Sequence, residues 1–216
     1  MDKKHLRLNS AIFYLALSIC FILSTLLFFS ACSNYYQMRF DHFGVYLEFN
    51  KYGIESEVVD KNIINLTSYL SPFSNALNTD FYSKEDILHL YDVKNILNSM
   101  YFLLTLSVIY VVWNVKYRKN KLCFPCLTKM GWLYISTLLF FGLMIFVKFD
   151  YFFTLAHELT FTNEYWLLDP TKSNLIKFFP QEIFVEIFVL IIITNLLLHF
   201  SFIMLVRKFY GKRYKK

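Results

Sequence analysis

The chain has 216 residues and a net charge of +6, and 56% of its residues are hydrophobic while only 18% are charged. A soluble domain carries about 25% charged residues, so the composition excludes an ordinary soluble protein and indicates a membrane protein. The excess positive charge lies next to apolar runs, where it sets membrane orientation and attracts anionic lipid. It therefore gives no indication of nucleic-acid binding.

Four runs without charged residues, each 18 to 21 residues long, divide the sequence. Because a transmembrane helix needs about 20 apolar residues, we predict four spanning helices at about 11–31, 96–115, 130–147 and 187–206. The first run is longer than the apolar region of a signal peptide, which is about 7 to 15 residues. Residues 29–32, at the end of this first run, could also be interpreted as a lipoprotein cleavage box, but this interpretation is weaker. The sequence thus predicts an all-α membrane protein that forms a single domain of residues 1–216.

The distribution of lysine and arginine predicts the orientation of these spans. The N-terminal lead, the segment 116–129 and the tail 207–216 together hold 14 of the 22 basic residues and only one acidic residue. The segments 33–95 and 148–182 carry more acidic than basic residues. By the positive-inside rule, both termini are expected in the cytoplasm and both acidic segments outside it.

The longer acidic segment, 33–95, is predicted to form a small extracytoplasmic cap between the first and second spans, and 148–182 an extracytoplasmic loop. Short strands are predicted in the first part of the cap, where Tyr46–Phe49 alternates weakly between two glycines. A helix is predicted from a capping Ser56 to about Leu70, ended by Ser71-Pro72. Ser83–Asp86 resembles a capping box, and the helix that it starts is predicted to continue into the second span.

Two histidines, His89 and His157, are predicted at the outer rim of the membrane on separate segments. Histidine titrates near neutrality and is the commonest general base. Asp92 and Glu158 lie close to them in sequence, and a carboxylate can fix the tautomer of an imidazole. Each histidine alone is typical of an ordinary residue at the membrane interface. The two together, each close to a carboxylate, support a catalytic site as strongly as they support that interfacial role.

Metal chemistry is a weaker interpretation of the same residues. His157-Glu158 could begin a zincin motif, but Phe161 occupies the position where the second histidine is required. A zinc site could still be assembled from four side chains on the two segments: His89, Asp92, His157 and Glu158.

The other reactive side chains have structural interpretations. Cys123 and Cys126 form a CxxC pair, which supplies too few ligands for structural zinc and lacks the context of a thioredoxin motif, so we predict two reduced thiols. His199, in the fourth span, is predicted to form a hydrogen bond with a neighbouring helix. No G-x-S-x-G motif is present, which argues against a serine hydrolase. The spans carry few polar groups, which disfavours a channel or transporter.

The stretches 81–94 and 157–166 resemble two motifs of the lipoprotein intramolecular transacylase family, a group of small four-span bacterial membrane proteins. The first contains H-x-x-D-V-K from His89, and the second H-x-x-x-F-x-N-x-x-W from His157. The continuation 168–180 is similar as well, and the resemblance covers nearly the whole chain in length, topology and motif order. It implies transfer of the sn-2 acyl chain of a diacylated lipoprotein to the α-amine of its N-terminal cysteine, giving the lyso form.

The resemblance also implies roles for particular residues, without a cofactor or metal. His157 is expected as general base and acid and His89 as oxyanion donor or partner in proton transfer, although the two roles could be exchanged. The supporting residues are expected to orient the imidazoles or contact the substrate; they are Asp92, Glu158, Asn163, Trp166 and, more weakly, Arg39. The expected partners are a diacylated lipoprotein and membrane lipid at the outer leaflet of the bacterial cytoplasmic membrane. The sequence predicts no oligomeric state. A non-enzymatic membrane chaperone or scaffold and a metal-dependent lipid hydrolase are the alternatives.

Overall fold

The computed structural model describes residues 3–74, 76–117 and 122–214, with side chains as far as residue 208. Within these ranges the secondary structure is helical and contains no β-strand. The α-helices are α1 (Lys3–Ala31), α2 (Ser33–Phe40), α3 (Val45–Asn50), α4 (Ser56–Leu70), α5 (Lys84–Tyr117), α6 (Phe124–Val147), α7 (Phe149–Thr160), α8 (Asn174–Phe178) and α9 (Gln181–Tyr214). Four of them, α1, α5, α6 and α9, are long and apolar enough to cross a membrane, which confirms the predicted all-α fold with four spans.

The helices pack into two compact units. The first unit comprises Met1–Leu26, Phe102–Val147 and Val189–Lys216, and the second comprises Leu27–Tyr101 and Lys148–Phe188. In the first unit α6 approaches α9 closely at Gly131, where an added Cβ would lie 2.6 Å from Cγ1 of Ile203. A larger residue at this crossing would therefore require the Ile203 side chain to shift. The core of this unit is formed by Phe13, Tyr14, Leu17, Leu127 and Val206.

A buried polar cluster links α1 to α9 inside the first unit. The Nε2 atom of His199 lies 3.2 Å from Oγ of Ser18, and its ring stacks on Tyr134 with centroids 3.9 Å apart. One turn earlier on α9, Asn195 donates a hydrogen bond to Thr25 on α1. The prediction that His199 bonds a neighbouring helix is confirmed.

The CxxC pair is joined by a disulfide between Cys123 and Cys126 at the start of α6. The two Cα atoms are 5.2 Å apart, within the range that a disulfide can bridge. The prediction of two reduced thiols is therefore wrong for this structure, because the turn into α6 brings the two residues close together.

The predicted strand at Tyr46–Phe49 is wrong, because this segment lies in helix α3. Gly44 adopts a left-handed conformation (φ 69°) immediately before the helix, which favours glycine. Val45 and Phe49, four residues apart, are both buried, whereas Leu47 is 71% exposed. Burial therefore follows a helical period rather than the alternation of a strand, in which Leu47 and Phe49 would share a face.

The predicted helices α4 and α5 are confirmed. Helix α4 ends at Leu70 with Ser71 as its C-cap, as expected, but its N-cap is Glu55 rather than Ser56. Helix α5 begins with a reciprocal capping box, in which the Ser83 amide donates to the Asp86 carboxylate and the Asp86 amide to the Ser83 hydroxyl, each at 3.1 Å. The helix then continues without a break into the apolar run 96–115, so the cap fixes where His89 lies relative to that run.

Asp86 also holds the loop before α8 against the start of α5. This carboxylate is fully buried and accepts hydrogen bonds from the Ser173 hydroxyl at 2.5 Å and from the amides of Asn174 and Leu175 at 3.2 and 3.4 Å. Asn174 also donates to the carbonyl oxygen of Phe81. The residue that caps α5 thus also fixes the segment that follows Trp166.

Candidate active site

His89 lies on the face of α5 that is turned into the second unit. It is 8% exposed, and it lies one turn after Asp86. Its Nδ1 atom is buried and has no hydrogen-bond partner among the described residues. A buried polar atom without a partner carries a desolvation cost.

His157 lies in the last turns of α7, and a backbone carbonyl orients its ring. Nδ1 of His157 is 2.8 Å from the carbonyl oxygen of Phe153, one turn earlier. Because a carbonyl oxygen only accepts, Nδ1 carries the proton when the ring is neutral, and Nε2 is left with a free lone pair. The ring also packs on Phe153 and on Trp166, with centroid distances of 4.3 and 5.2 Å.

The two imidazoles meet within the second unit. Their ring centroids are 6.1 Å apart and the ring planes differ by 31°. Phe161 packs on both, at 5.0 Å from His89 and 5.6 Å from His157. In the sequence, Phe161 breaks a zincin motif and is also the aromatic position of the H-x-x-x-F-x-N-x-x-W motif. Phe161 is the C-cap of α7 and has an extended backbone. Its place in the motif that begins at His157 was the signal that this ring belongs to the site.

Burial keeps His89 neutral. The residue precedes the apolar run 96–115 by seven positions and so lies outside the membrane-spanning segment. Burial, followed by the neighbouring His157, lowers the pKa of His89 from 6.5 to about 4, and the carboxylates of Asp92 and Asp86 oppose this effect only in part. At neutral pH the ring of His89 is therefore uncharged and can donate one N–H.

The predicted supporting residues divide into two groups. Asn163 and Trp166 join the site, since Asn163 donates a 2.8 Å hydrogen bond to Asp92 and Trp166 packs on His157. Asp92 thus bonds an amide, and its effect on His89 is electrostatic. The side chain of Glu158 is exposed, and the Nδ1 atom of His157, which it was expected to orient, bonds the Phe153 carbonyl instead.

Arg39 takes part in a separate cluster. Its guanidinium forms a 2.5 Å ion pair with Glu186 and lies over the ring of Phe43. Tyr35 donates a hydrogen bond to the same carboxylate. None of these contacts involves an imidazole.

The described residues do not assemble the alternative zinc site. Within 3–74, 76–117 and 122–214 no group of three or more histidine, cysteine, aspartate or glutamate side chains could hold a metal ion. In the expected set, Asp92 is bonded to an amide and the side chain of Glu158 is exposed.

Comparison with known families decides between the remaining alternatives. The profile of the lipoprotein intramolecular transacylase family Lit matches residues 11–184. The chain belongs to this family. It is therefore an acyltransferase that carries out intramolecular acyl transfer on a lipoprotein, and it is an integral, multi-pass membrane protein. The alternative of a non-enzymatic scaffold is set aside by this finding.

Solved structures show the same fold. The lipoprotein intramolecular transacylase Lit from Bacillus cereus is similar with a TM-score of 0.83 at 24% identity, over 98% of this chain and 99% of that one. Two variants of that protein are also similar. One carries a histidine-to-alanine mutation (TM-score 0.82, 23% identity, 97% and 96% covered), and the other a histidine-to-arginine mutation (0.79, 24%, 97% and 94%). A comparison with curated protein sequences found no match.

Proposed function

We propose that this transacylase moves the sn-2 acyl chain of a diacylated lipoprotein to the α-amine of its N-terminal cysteine, with His157 and His89 as its catalytic residues. The reaction is placed at the outer leaflet of a bacterial cytoplasmic membrane, with both termini of the enzyme in the cytoplasm. The observation that carries this proposal is the meeting of two imidazoles from α5 and α7, with centroids 6.1 Å apart. With two histidines side by side, one can take and return a proton while the other donates a hydrogen bond.

The role of His157 follows from what the attacking group requires. An α-amine has a pKa of about 7.7–8 and is mostly protonated at neutral pH, so it must lose a proton before it attacks an ester carbonyl. The contact between Nδ1 of His157 and the Phe153 carbonyl leaves Nε2 free to accept this proton. This first proton is released to solvent. As the bond between nitrogen and the acyl carbon forms, Nε2 takes a second proton from the nitrogen, and it delivers that proton to the glycerol oxygen as the ester bond to glycerol breaks.

The role of His89 follows from its lack of charge. The ester carbonyl becomes an oxyanion in the tetrahedral intermediate and is stabilised by a fixed hydrogen-bond donor. With a pKa of about 4, His89 is neutral at pH 7, so it can donate an N–H without competing for the proton that the base accepts. The burial that keeps His89 neutral therefore favours His157 as the base and His89 as the oxyanion donor, rather than the reverse.

The other site residues are assigned to positioning and binding. The bond from Asn163 to Asp92 ties the segment after α7 to the helix of His89, and Trp166 forms a wall beside the His157 ring. We assign these residues to holding the acyl ester in a bent pose, because proximity is a large part of an intramolecular reaction. The half-exposed Arg39 is assigned to lipid headgroup contact, and Glu158 to the exposed edge of the site.

The test is to express the protein in a host whose lipoproteins carry only diacylglycerol, and to fragment the N-terminal lipopeptide of one lipoprotein by mass spectrometry. The expected product has an unchanged total acyl mass, with one acyl group on the amine and one on glycerol. His157→Ala is expected to reduce product formation by at least about 100-fold, the scale of general acid–base catalysis. His89→Ala is expected to cause a comparable loss, since removing one oxyanion donor costs about 100-fold or more.

The matched control is His42→Ala, which removes an exposed histidine from the same unit. It is expected to leave product formation unchanged. A His157→Ala protein that is present in the membrane in normal amount and still makes the lyso form at the parental rate would contradict the catalytic assignment. If the lipopeptide stays unmodified although the parent protein is well expressed, the proposal that a diacylated lipoprotein is the substrate would be contradicted.

A further inference from the structure

One large apolar side chain of the second unit is almost completely exposed. Phe73 follows the end of α4, in the turn after Pro72, and is 97% exposed. An apolar ring in contact with water is unfavourable, although a single exposed ring is common on protein surfaces. The position of this ring relative to the apolar run of α5 indicates what covers it.

The turn that carries Phe73 is attached to α5 by one buried amine. Lys94 donates hydrogen bonds to the carbonyl oxygens of Ser71 and Ser74, on either side of Phe73, and to that of Tyr69 at the end of α4. Its ammonium also lies 4.4 Å from the centroid of the Tyr69 ring. Because three carbonyls converge on one ammonium, the backbone on both sides of Phe73 has a fixed position along α5.

That position is next to the membrane-spanning part of α5. Lys94 precedes the apolar run 96–115 by two residues. With a rise of 1.5 Å per residue and allowance for the length of the lysine side chain, the turn lies within about 10 Å of the start of this run along the helix axis. The headgroup layer of a bilayer is of similar thickness, and lysine and tyrosine are typical residues of that layer.

The rest of α4 extends away from this level. After the turn, the chain runs back along α4 towards the start of α5, where Asn65 bonds the carbonyl of Ala76 and Asn62 accepts from Asn78. The middle of α4 thus contacts the loop that leads to the start of α5, whereas its C-terminal end is held at Lys94, nearer the apolar run. Val58, in the first turn of α4, lies about 17 Å from Tyr69 along the helix axis, at the opposite end of the helix.

We infer that Phe73 inserts into the lipid interface at the N-terminal end of the α5 apolar run and anchors the end of α4 to the bilayer. The partner is the boundary between phospholipid headgroups and acyl chains, where an aromatic ring is half wet and half apolar. The inference depends on the membrane spans and on the Lys94 contacts, and it is independent of the catalytic assignment.

The test compares two added tryptophans in proteoliposomes, Phe73→Trp and Val58→Trp. Both positions are exposed, so neither change disturbs the core. The vesicles contain phosphatidylcholine with or without bromine on the upper part of its acyl chains, and the emission of the parent, which has three tryptophans, is subtracted. The added emission of Phe73→Trp is expected to be blue-shifted and reduced at least about twofold by brominated lipid, because the ring contacts lipid rather than water.

The added emission of Val58→Trp is expected to stay at longer wavelength and to be unaffected by bromine. An unquenched, long-wavelength Phe73→Trp signal would overturn the inference, because the ring would be in water. A blue-shifted but unquenched signal would also overturn it, since the ring would then be covered by protein, such as a second copy. Equal quenching at both positions would show immersion of all of α4 rather than an anchor at Phe73.

Discussion

Burial of His89 couples its protonation to folding. Its pKa is lowered from 6.5 to about 4 in the folded protein, so the unfolded chain binds more protons between these values. The free energy of unfolding therefore has its full value above pH 6.5 and falls as the pH drops towards 4. At pH 5 this group alone is expected to remove on the order of 2 kcal/mol of stability relative to pH 7.

The measurement is the thermal midpoint of the purified protein in detergent at pH 7 and pH 5, for the parent and for His89→Asn. Asparagine does not titrate, so the variant is expected to lose less stability over this interval, whatever its stability at pH 7. His42→Asn, at an exposed histidine, should show the parental difference. Equal losses in the parent and in His89→Asn would mean that His89 is not held neutral by the fold.

Individual contacts of the site were only partly predictable from sequence. The two histidines were predictable because each lies next to an apolar run whose limits are read locally. The group that orients His157 was not, because a nearby glutamate and a carbonyl one turn earlier are both within reach of a helical histidine. Only the side-chain conformation selects the Phe153 carbonyl. The pairing of Asp92 with Asn163 joins segments far apart in the sequence, which no local pattern indicates.

At the level of helices, Asp86 is expected to control both the start of α5 and the position of the loop before α8. Asp86→Asn keeps the volume of the side chain but removes the charge. It also turns an amide group towards donors that include Ser173 and the backbone of Asn174. Hydrogen bonds to a charged group are worth about 1.5–3 kcal/mol each, so we expect a destabilisation of several kcal/mol, together with reduced product formation because His89 lies one turn away.

This prediction is checked by the thermal midpoint and by limited proteolysis in the segment 161–180. Asp86→Asn should lower the midpoint by several degrees and expose that segment to cleavage, while Ser173→Ala should have a smaller effect in the same direction. Asp80→Asn replaces an exposed acid a short distance earlier and should resemble the parent. An Asp86→Asn protein with unchanged stability and cleavage would show that the loop is held by other contacts.

Helix limits were predictable where a capping residue marks them. The capping box at Ser83 and the Ser71-Pro72 stop both act within a few residues of the limit that they set, and the sequence shows them directly. Helix α3 was not predictable, because four residues of weak alternation fit a strand as well as a helix. The helix is instead selected by packing, in which Phe49 contacts Phe178 from α8, a residue far away in the chain.

For the whole molecule, the four spans were predictable because length and hydropathy are local properties of the sequence. The division of the chain into two units was not, since each unit is assembled from separate stretches. The orientation of the protein in the membrane does not follow from the spans themselves, because it depends on how basic residues are distributed among the segments between them. The three segments assigned to the cytoplasm hold 14 of the 22 lysines and arginines, and translocation of short basic segments is disfavoured.

We therefore expect a C-terminal green fluorescent protein fusion to be fluorescent and a C-terminal alkaline phosphatase fusion to be inactive. An epitope inserted at Gly53, in the exposed turn between α3 and α4, should bind antibody on intact protoplasts, while a C-terminal epitope should bind only after lysis. An active phosphatase fusion with a hidden Gly53 epitope would reverse the orientation. It would place His89 and His157 on the cytoplasmic side, away from the diacylated cysteine of an exported lipoprotein. The proposed reaction therefore requires the orientation that the charges predict.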